Sequence, residues 1–227
     1  MNRPLIIAPS MLASDISCLG AEAKRAMRGG ADWLHIDIMD GHFVPNLSFG
    51  VEIVHMLRRQ VEDATLDVHL MIDQPDRYAR TFIEAGADVL TVHLEANHKT
   101  ARTLGIIRDM GCKVGLALNP LTEIEHALPL LHHIDLLLCM TVNPGFGGQP
   151  FIIEVLEKIR VARRYILDHQ LNVDIEVDGG VNEITAGPSV TAGANVLVAG
   201  TSLFRQKDMG EAILSMRAKA SIVASAG

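Results

Sequence analysis

Short apolar runs alternate with longer amphipathic segments along the whole 227-residue chain. The runs are Leu5–Ala8, Trp33–Met39, Leu66–Met71, Val89–Leu94, Val114–Leu118, Leu136–Val142, Ile175–Asp178 and Val196–Ala199. Each has the length of a strand. Several are rich in Val, Ile and Leu with little polar alternation, the pattern of a strand buried on both faces. Between them, Ile152, Val155, Leu156, Ile159, Ala162 and Ile166 recur at three- and four-residue steps and predict one apolar stripe on a helix. Tyr78, Phe82 and Ile83 predict a shorter one. A punctuation mark precedes three of the runs: Gly30-Ala31-Asp32, Gly86-Ala87-Asp88 and Gly193-Ala194-Asn195. Glycine there can take the left-handed conformation that ends a helix, and the polar residue then leads into the next strand.

Strict strand–helix alternation implies a parallel sheet. Eight repeats in this length predict a closed (β/α)₈ TIM barrel, with an open doubly wound sheet as the alternative. No linker, low-complexity stretch or charge block interrupts the chain, so residues 1–227 read as one domain. At 48% apolar residues the chain is not a disordered or fibrous one. Its net charge of −7 disfavours nucleic acid and a basic membrane face as partners. Cys18, Cys112 and Cys139 are odd in number and form no CxxC pair, which fits free thiols in a reducing compartment. No apolar run approaches the roughly 20 residues that span a bilayer. Leu5–Ala8, closed off by Pro9 and Asp15, is too short for a signal segment. A cytoplasmic enzyme is expected.

Active sites of such barrels lie at the C-terminal ends of the strands, and there the sequence keeps its unusual polar residues. The first strand ends in Pro9-Ser10, the second carries His35-Ile36-Asp37-Ile38-Met39-Asp40, the third Asp67-Val68-His69-Leu70-Met71, and the seventh Glu176-Val177-Asp178-Gly179-Gly180. Alternation along a strand points His35 and Asp37 to the same side. With His69 and Asp178 they form a mixed nitrogen and oxygen set suited to a divalent transition metal. Taken singly, each is as well explained as a hydrogen-bonded polar group. The loop Asn143-Pro144-Gly145-Phe146-Gly147-Gly148-Gln149, then Gly179-Gly180 and Gly200-Thr201, place glycines after three successive late strands. Backbone N–H groups can converge on a phosphate there, aided by a helix starting at Thr201-Ser202-Leu203-Phe204; plain turns are the other explanation. Met39, Met71 and Met140 either fill core gaps or form a polarizable apolar floor under a sugar. Ser10 either bonds a substrate hydroxyl or caps the following turn, where Met11 and Leu12 read as packing. His93, Glu95 and Asn119 are supporting groups behind the site or ordinary satisfied polar residues. His126, His132 and His133 fall on helical segments and are expected in solvent.

Four blocks in order carry a family resemblance: His35-Ile36-Asp37-Ile38-Met39-Asp40-Gly41-His42-Phe43-Val44-Pro45-Asn46, Asp67-Val68-His69-Leu70-Met71, Val142 through Gln149, and Glu176-Val177-Asp178-Gly179-Gly180-Val181. From Ile7-Ala8-Pro9-Ser10 to Phe204 the chain resembles the ribulose-phosphate 3-epimerase family. The resemblance implies a barrel of the ribulose-phosphate-binding type that interconverts D-ribulose 5-phosphate and D-xylulose 5-phosphate, in the pentose phosphate pathway or the Calvin cycle. It implies one divalent cation per subunit (Fe²⁺, Zn²⁺, Mn²⁺ or Co²⁺) on His35, Asp37, His69 and Asp178, with Asp37 and Asp178 as the acid/base pair. It places the substrate, a phosphorylated ketopentose, on Ser10, His69 and Asp178. Its phosphate goes to Gly145, Phe146, Gly147, Gly148, Gly179, Gly180, Gly200 and Thr201. It also implies a homo-oligomer, dimer or hexamer. The family usually has Gly-Ser after the last strand; Thr201 stands there instead, as in allulose 6-phosphate 3-epimerases, which keeps that substrate as an alternative. A non-catalytic phosphosugar-binding barrel would lack opposed carboxylates. A lyase on this scaffold would carry a strand-end lysine, and the sequence places none there.

Overall fold

The computed structural model describes residues 3–224, with side chains through 221. The outermost positions of the expected 1–227 domain, residues 1–2 and 225–227, lie outside the described residues. Eight strands form one all-parallel sheet: β1 (Ile6–Pro9), β2 (Trp33–Met39), β3 (Thr65–Met71), β4 (Val89–His93), β5 (Lys113–Leu118), β6 (Leu136–Met140), β7 (Asp174–Asp178) and β8 (Val196–Ala199). Pairing runs from β1 through β8 and back down to β2, and a lone parallel bridge from Ser10 to His35 closes the ring. The barrel expected from the sequence is therefore present, and the open sheet is not. The helices are α1 (Leu19–Arg28), α2 (Val51–Gln60), α3 (Ala79–Glu84), α4 (Thr100–Asp109), α5 (Val155–Asp168), α6 (Ala186–Ala192), α7 (Thr201–Phe204) and α8 (Met209–Ala224).

One connection departs from strict alternation. Between β5 and β6 the chain makes two 3₁₀ turns, Ile124–His126 and Leu128–His133, instead of an α-helix. Pro129 lacks the N–H that an α-helical turn would use, so this stretch stays in short turns. His126, His132 and His133 are exposed on them, as expected for solvated residues. The predicted α5 stripe is real from Val155 onward; Ile152 precedes the helix and packs on the core from the loop.

Alternation along each strand sorts the core into two compartments. Outward-facing residues such as Ile7, Leu34, Ile36, Val68, Leu90 and Val177 pack under the helices. Inward-facing Ala8, Trp33, Val89, Leu136, Val196 and Val198 fill the N-terminal half of the barrel as an apolar floor. Above the floor the interior turns polar. Packing at this boundary is tight: a Cβ on Gly115 of β5 would lie 2.0 Å from Thr91 Oγ1 and 2.9 Å from Thr91 Cα on β4.

The N-terminal rim is held by a repeated polar brace. Asp32 Oδ2 accepts the Ile7 N–H (2.7 Å), Asp88 Oδ2 that of Leu66 (2.8 Å), Asp135 Oδ2 that of Val114 (2.8 Å), and Asn195 Oδ1 that of Ile175 (3.0 Å). Each acceptor sits just before an even-numbered strand and holds the start of the preceding odd one. An arginine from a packed helix completes each brace: Arg217 on Asp32, Arg58 on Asp88, Arg108 beside Asp135 and Arg163 on Asn195. Three of these acceptors follow the glycine of the recurrent sequence mark, and Gly30, Gly86 and Gly193 have φ of +91°, +113° and +120°. The fourth brace, at Asp135, has no glycine before it, so the sequence pattern alone misses it.

Two substitutions test this architecture. Asn195→Ala strips a buried strand-start N–H of its acceptor and is expected to cost about 1–3 kcal/mol in chemical denaturation. Gly115→Ala forces a methyl against Thr91 backbone and is expected to cost about 1–3 kcal/mol by overpacking. A denaturation midpoint equal to wild type for either variant contradicts the corresponding contact.

Candidate functional site

The C-terminal ends of the strands surround a cavity of about 600 Å³. Ser10, Asp37, Met39, Met71, Met140 and Asp178 line its depth, and Gly145, Phe146, Gly147, Gly148, Gly179, Gly180, Gly200 and Thr201 its far side. The three methionines are nearly fully buried around it and so form an apolar wall of the cavity itself. Among the described residues no lysine lines it. Lys158 instead reaches the Asn119 and Pro120 carbonyls after β5 from α5.

Parallel pairing puts Asp37 beside His69 and His35 beside Asp67. One ligand atom from each of His35, Asp37, His69 and Asp178 falls in a group whose members all lie within 4.8 Å of one another. Asp37 Oδ1 lies 3.2 Å from His35 Nε2 and 3.1 Å from His69 Nδ1, and Asp178 Oδ2 lies 4.0 Å from His35 Nε2. Both imidazoles are fully buried behind Asp37, off the cavity wall. The other Asp37 oxygen accepts the Ser10 hydroxyl at 2.8 Å. Ser10 thus makes no side-chain cap on the turn that follows it, and the capping alternative falls away. Two imidazole nitrogens and two carboxylate oxygens, buried and convergent, fit a divalent cation of the zinc, iron, manganese or cobalt kind.

The electrostatics split the two carboxyl groups. Burial works to raise Asp37, but the facing His35 and His69 outweigh it and hold it well below the usual carboxylate range. Burial and the charge of Asp37 push Asp178 up to about 7. Burial works against a charge on His35, yet Asp37 and Asp67 more than reverse this and raise it well above the ordinary imidazole value.

A polar layer lies directly beneath, on Asp67 and Glu176, both fully buried. Asp67 Oδ2 stands 2.6 Å from His35 Nδ1, and Glu176 Oε1 is 3.5 Å from the same nitrogen. Burial, then the charge of Asp67, raises Glu176 well above the usual range, which keeps it a neutral acid. Sequence reading gave neither residue a role. Strand periodicity held the signal: Asp67 is two residues before His69 and Glu176 two before Asp178, so each points inward with its partner.

Behind His69 the polar chain continues. His69 Nε2 is 2.8 Å from His93 Nε2, and His93 Nδ1 is 3.1 Å from Glu95 Oε2. Burial lowers His93 to about 4; Glu95 is lowered to about 2, because bonds from His93 and Thr122 outweigh its burial. Asn119 takes part through its backbone, donating its N–H to Glu95 Oε1 at 2.7 Å.

The glycine-rich side is pre-shaped. Gln149 Nε2 donates to the Asn143 and Phe146 carbonyls (2.6 and 2.8 Å), and Asn46 Nδ2 to Gly145 (2.7 Å). Thr141 Oγ1 donates to the Asp178 and Gly179 carbonyls. Gly179, at φ +117°, leaves no room for a side chain, since a Cβ would lie 2.4 Å from Val142. Helix α7 begins at Thr201, as the sequence suggested.

Comparison with known proteins places this arrangement. The chain is 50% identical over 213 residues to the ribulose-phosphate 3-epimerase of Bacillus subtilis (strain 168), covering 93% of this chain and 97% of that one. It is 46% identical over 219 residues to the ribulose-phosphate 3-epimerase of Synechocystis sp. (strain ATCC 27184 / PCC 6803 / Kazusa), covering 96% and 95%. Among solved structures, 3-hexulose-6-phosphate synthase from Salmonella typhimurium superposes with a TM-score of 0.70 at 16% identity, covering 98% of this chain and 99% of that one, a likeness of fold. The profile of the Ribulose-phosphate 3 epimerase family matches residues 6–204. With that match spanning all eight strands and the cavity they enclose, the chain belongs to the ribulose-phosphate 3-epimerase family and is an isomerase of the epimerase kind.

Proposed function

We propose that the protein interconverts D-ribulose 5-phosphate and D-xylulose 5-phosphate by two-base proton transfer at C3. The observation that carries this reading is the convergence of Asp37 and Asp178 on one point of the cavity wall, with opposite tendencies to hold a proton. Inverting C3 of a 2-ketosugar requires a proton taken from one face and another delivered to the opposite face. Paired carboxyl groups pushed apart in acidity are suited to those two tasks.

In one direction Asp37, ionised and oriented by Ser10, takes the C3 proton. The C3–H electrons move into the C2–C3 bond, and the C2 carbonyl becomes a cis-enediolate with its charge on O2. Asp178, protonated, then delivers a proton to C3 from the other face. In the reverse direction the roles exchange. A divalent cation held by His35, Asp37, His69 and Asp178 supplies, when bound, a Lewis acid for the developing charge. Met39, Met71 and Met140 keep the reacting carbon in an apolar surrounding. The backbone N–H groups of Gly145 through Gly148, Gly179-Gly180 and Gly200-Thr201 hold the phosphate at the far side, so its binding energy orients C3 between the carboxylates.

Five measurements test this. Turnover in D₂O is expected to place deuterium at C3 of the product, since each carboxyl group exchanges with water between turnovers; unlabelled product would argue for a proton carried internally. Asp37→Asn and Asp178→Asn, each shown to retain its metal, should both lower epimerisation by about 10²-fold or more. Substantial turnover by either variant would remove that carboxylate from the mechanism. Gly147 has open space at its Cβ position, so Gly147→Val is expected to leave the loop intact, raise KM by obstructing the phosphate and leave kcat nearly unchanged. Equal turnover of unphosphorylated ribulose would sink the phosphate site, and preference for allulose 6-phosphate in a parallel assay would replace the pentose substrate.

A further inference from the structure

We propose that His93 and Glu95 are positioning residues, forming a relay from Glu95 through His93 to His69 that fixes which nitrogen of His69 carries its hydrogen. The inference deepens the metal reading above and rests on it.

The direction of the relay follows from donor and acceptor chemistry. Glu95 Oε1 already accepts the Asn119 N–H and the Thr122 hydroxyl, two donors that hold it as a carboxylate, so it has only acceptors to offer. His93 Nδ1, 3.1 Å from Glu95 Oε2, must therefore carry a hydrogen. A neutral imidazole has one N–H, which leaves His93 Nε2 a lone pair. Nε2 of His69 lies 2.8 Å away, and two nitrogens at that distance share one hydrogen between them. It belongs to His69 Nε2, and His69 Nδ1 is left with a lone pair.

That lone pair faces Asp37 Oδ1 at 3.1 Å. A lone pair and a carboxylate oxygen at this distance, with no hydrogen between them, repel unless a cation lies within reach of both. The relay thus removes the hydrogen bond His69 could otherwise give Asp37 and leaves both atoms as ligands. Phe43, its ring centroid 4.7 Å from that of His93, covers the relay from the loop after β2. His93 is fully buried, so solvent offers it no alternative partner. His35 is also anchored from behind, with Asp67 Oδ2 2.6 Å from its Nδ1 and its Nε2 facing Asp37 Oδ1 at 3.2 Å.

The test uses the zinc-loaded full-length enzyme labelled with ¹⁵N at histidine. Long-range ¹H–¹⁵N spectra are expected to show the hydrogen on Nε2 of His69 and on Nδ1 of His93; a hydrogen on Nε2 of His93 overturns the relay. Zinc affinity is then read by competition with a chromogenic chelator. His93→Leu is expected to lose about 10–100-fold in affinity. His93→Gln, whose amide can accept from His69 and donate to Glu95, should recover most of that loss, which a purely space-filling role would not predict. Glu95→Gln should show a smaller loss. A folded His93→Leu that holds zinc like wild type, or a His93→Gln no better than His93→Leu, overturns the proposal. If His93→Leu does not fold, the wild-type spectra and Glu95→Gln decide it, with unchanged zinc affinity in Glu95→Gln counting against the relay. Failure of the wild-type enzyme to take up any divalent ion would instead overturn the metal reading, and this inference with it.

Discussion

Burial of ionisable groups inside the barrel is the constraint on which the rest of this structure depends. His35, Asp67, His69, His93 and Glu176 have no exposed surface, and Asp37 has almost none. Isolated, each charge would be costly to hold in such surroundings. All but Glu176 are tied to a neighbour: Asp67 to His35, His35 and His69 to Asp37, Asp37 to Ser10, His69 to His93, His93 to Glu95. Glu176 is held as a neutral acid with its oxygens near His35 and Asp67. Every buried polar group left without a partner costs stability, so the fold depends on holding these pairs in place. The apolar floor under it and the glycine at position 115 both serve that requirement. One excludes water from below, and the other lets β4 and β5 approach where Thr91 fills the space.

The two ends of the barrel are stabilised by different means. At the N-terminal rim, four braces join strand starts to aspartate or asparagine and to a helix arginine. At the C-terminal rim the loops are shaped by hydrogen bonds that leave N–H groups and carboxylates facing a cavity. The arrangement places the paired carboxylates where strand geometry is rigid, while the far side of the cavity is built from loops whose glycines admit close approach.

Most of the frame was legible in the sequence. Eight apolar runs of strand length, several with little polar alternation, read as strands covered on both faces, and the inward pair His35 and Asp37 followed from two-residue periodicity. Three of four braces were marked by glycine followed by a polar residue. What was not legible has particular causes. The turns between β5 and β6 depend on Pro129 in a stretch whose apolar spacing resembles a helix. Asp67 and Glu176 lie one step deeper in the barrel than His69 and Asp178, where a polar residue in a strand reads as core filler until its neighbours are known. The role of Ser10 required the distance across the seam from β1 to β2, which no local pattern contains. His93 and Glu95 required the order of donors and acceptors, which exists only once ring nitrogens have neighbours.

The fourfold brace also divides the barrel into repeated parts. Each brace joins an odd strand to the even one after it, so the polar side-chain bonds at the base hold β1 to β2, β3 to β4, β5 to β6 and β7 to β8. The four side chains at the top are drawn from three of these pairs: His35 and Asp37 from the first, His69 from the second, Asp178 from the fourth. The base therefore ties strands in pairs, and backbone ladders join one pair to the next. Each two-strand unit thus carries its own foundation at one end of the barrel, while the chemistry at the other end is assembled from side chains that different units contribute.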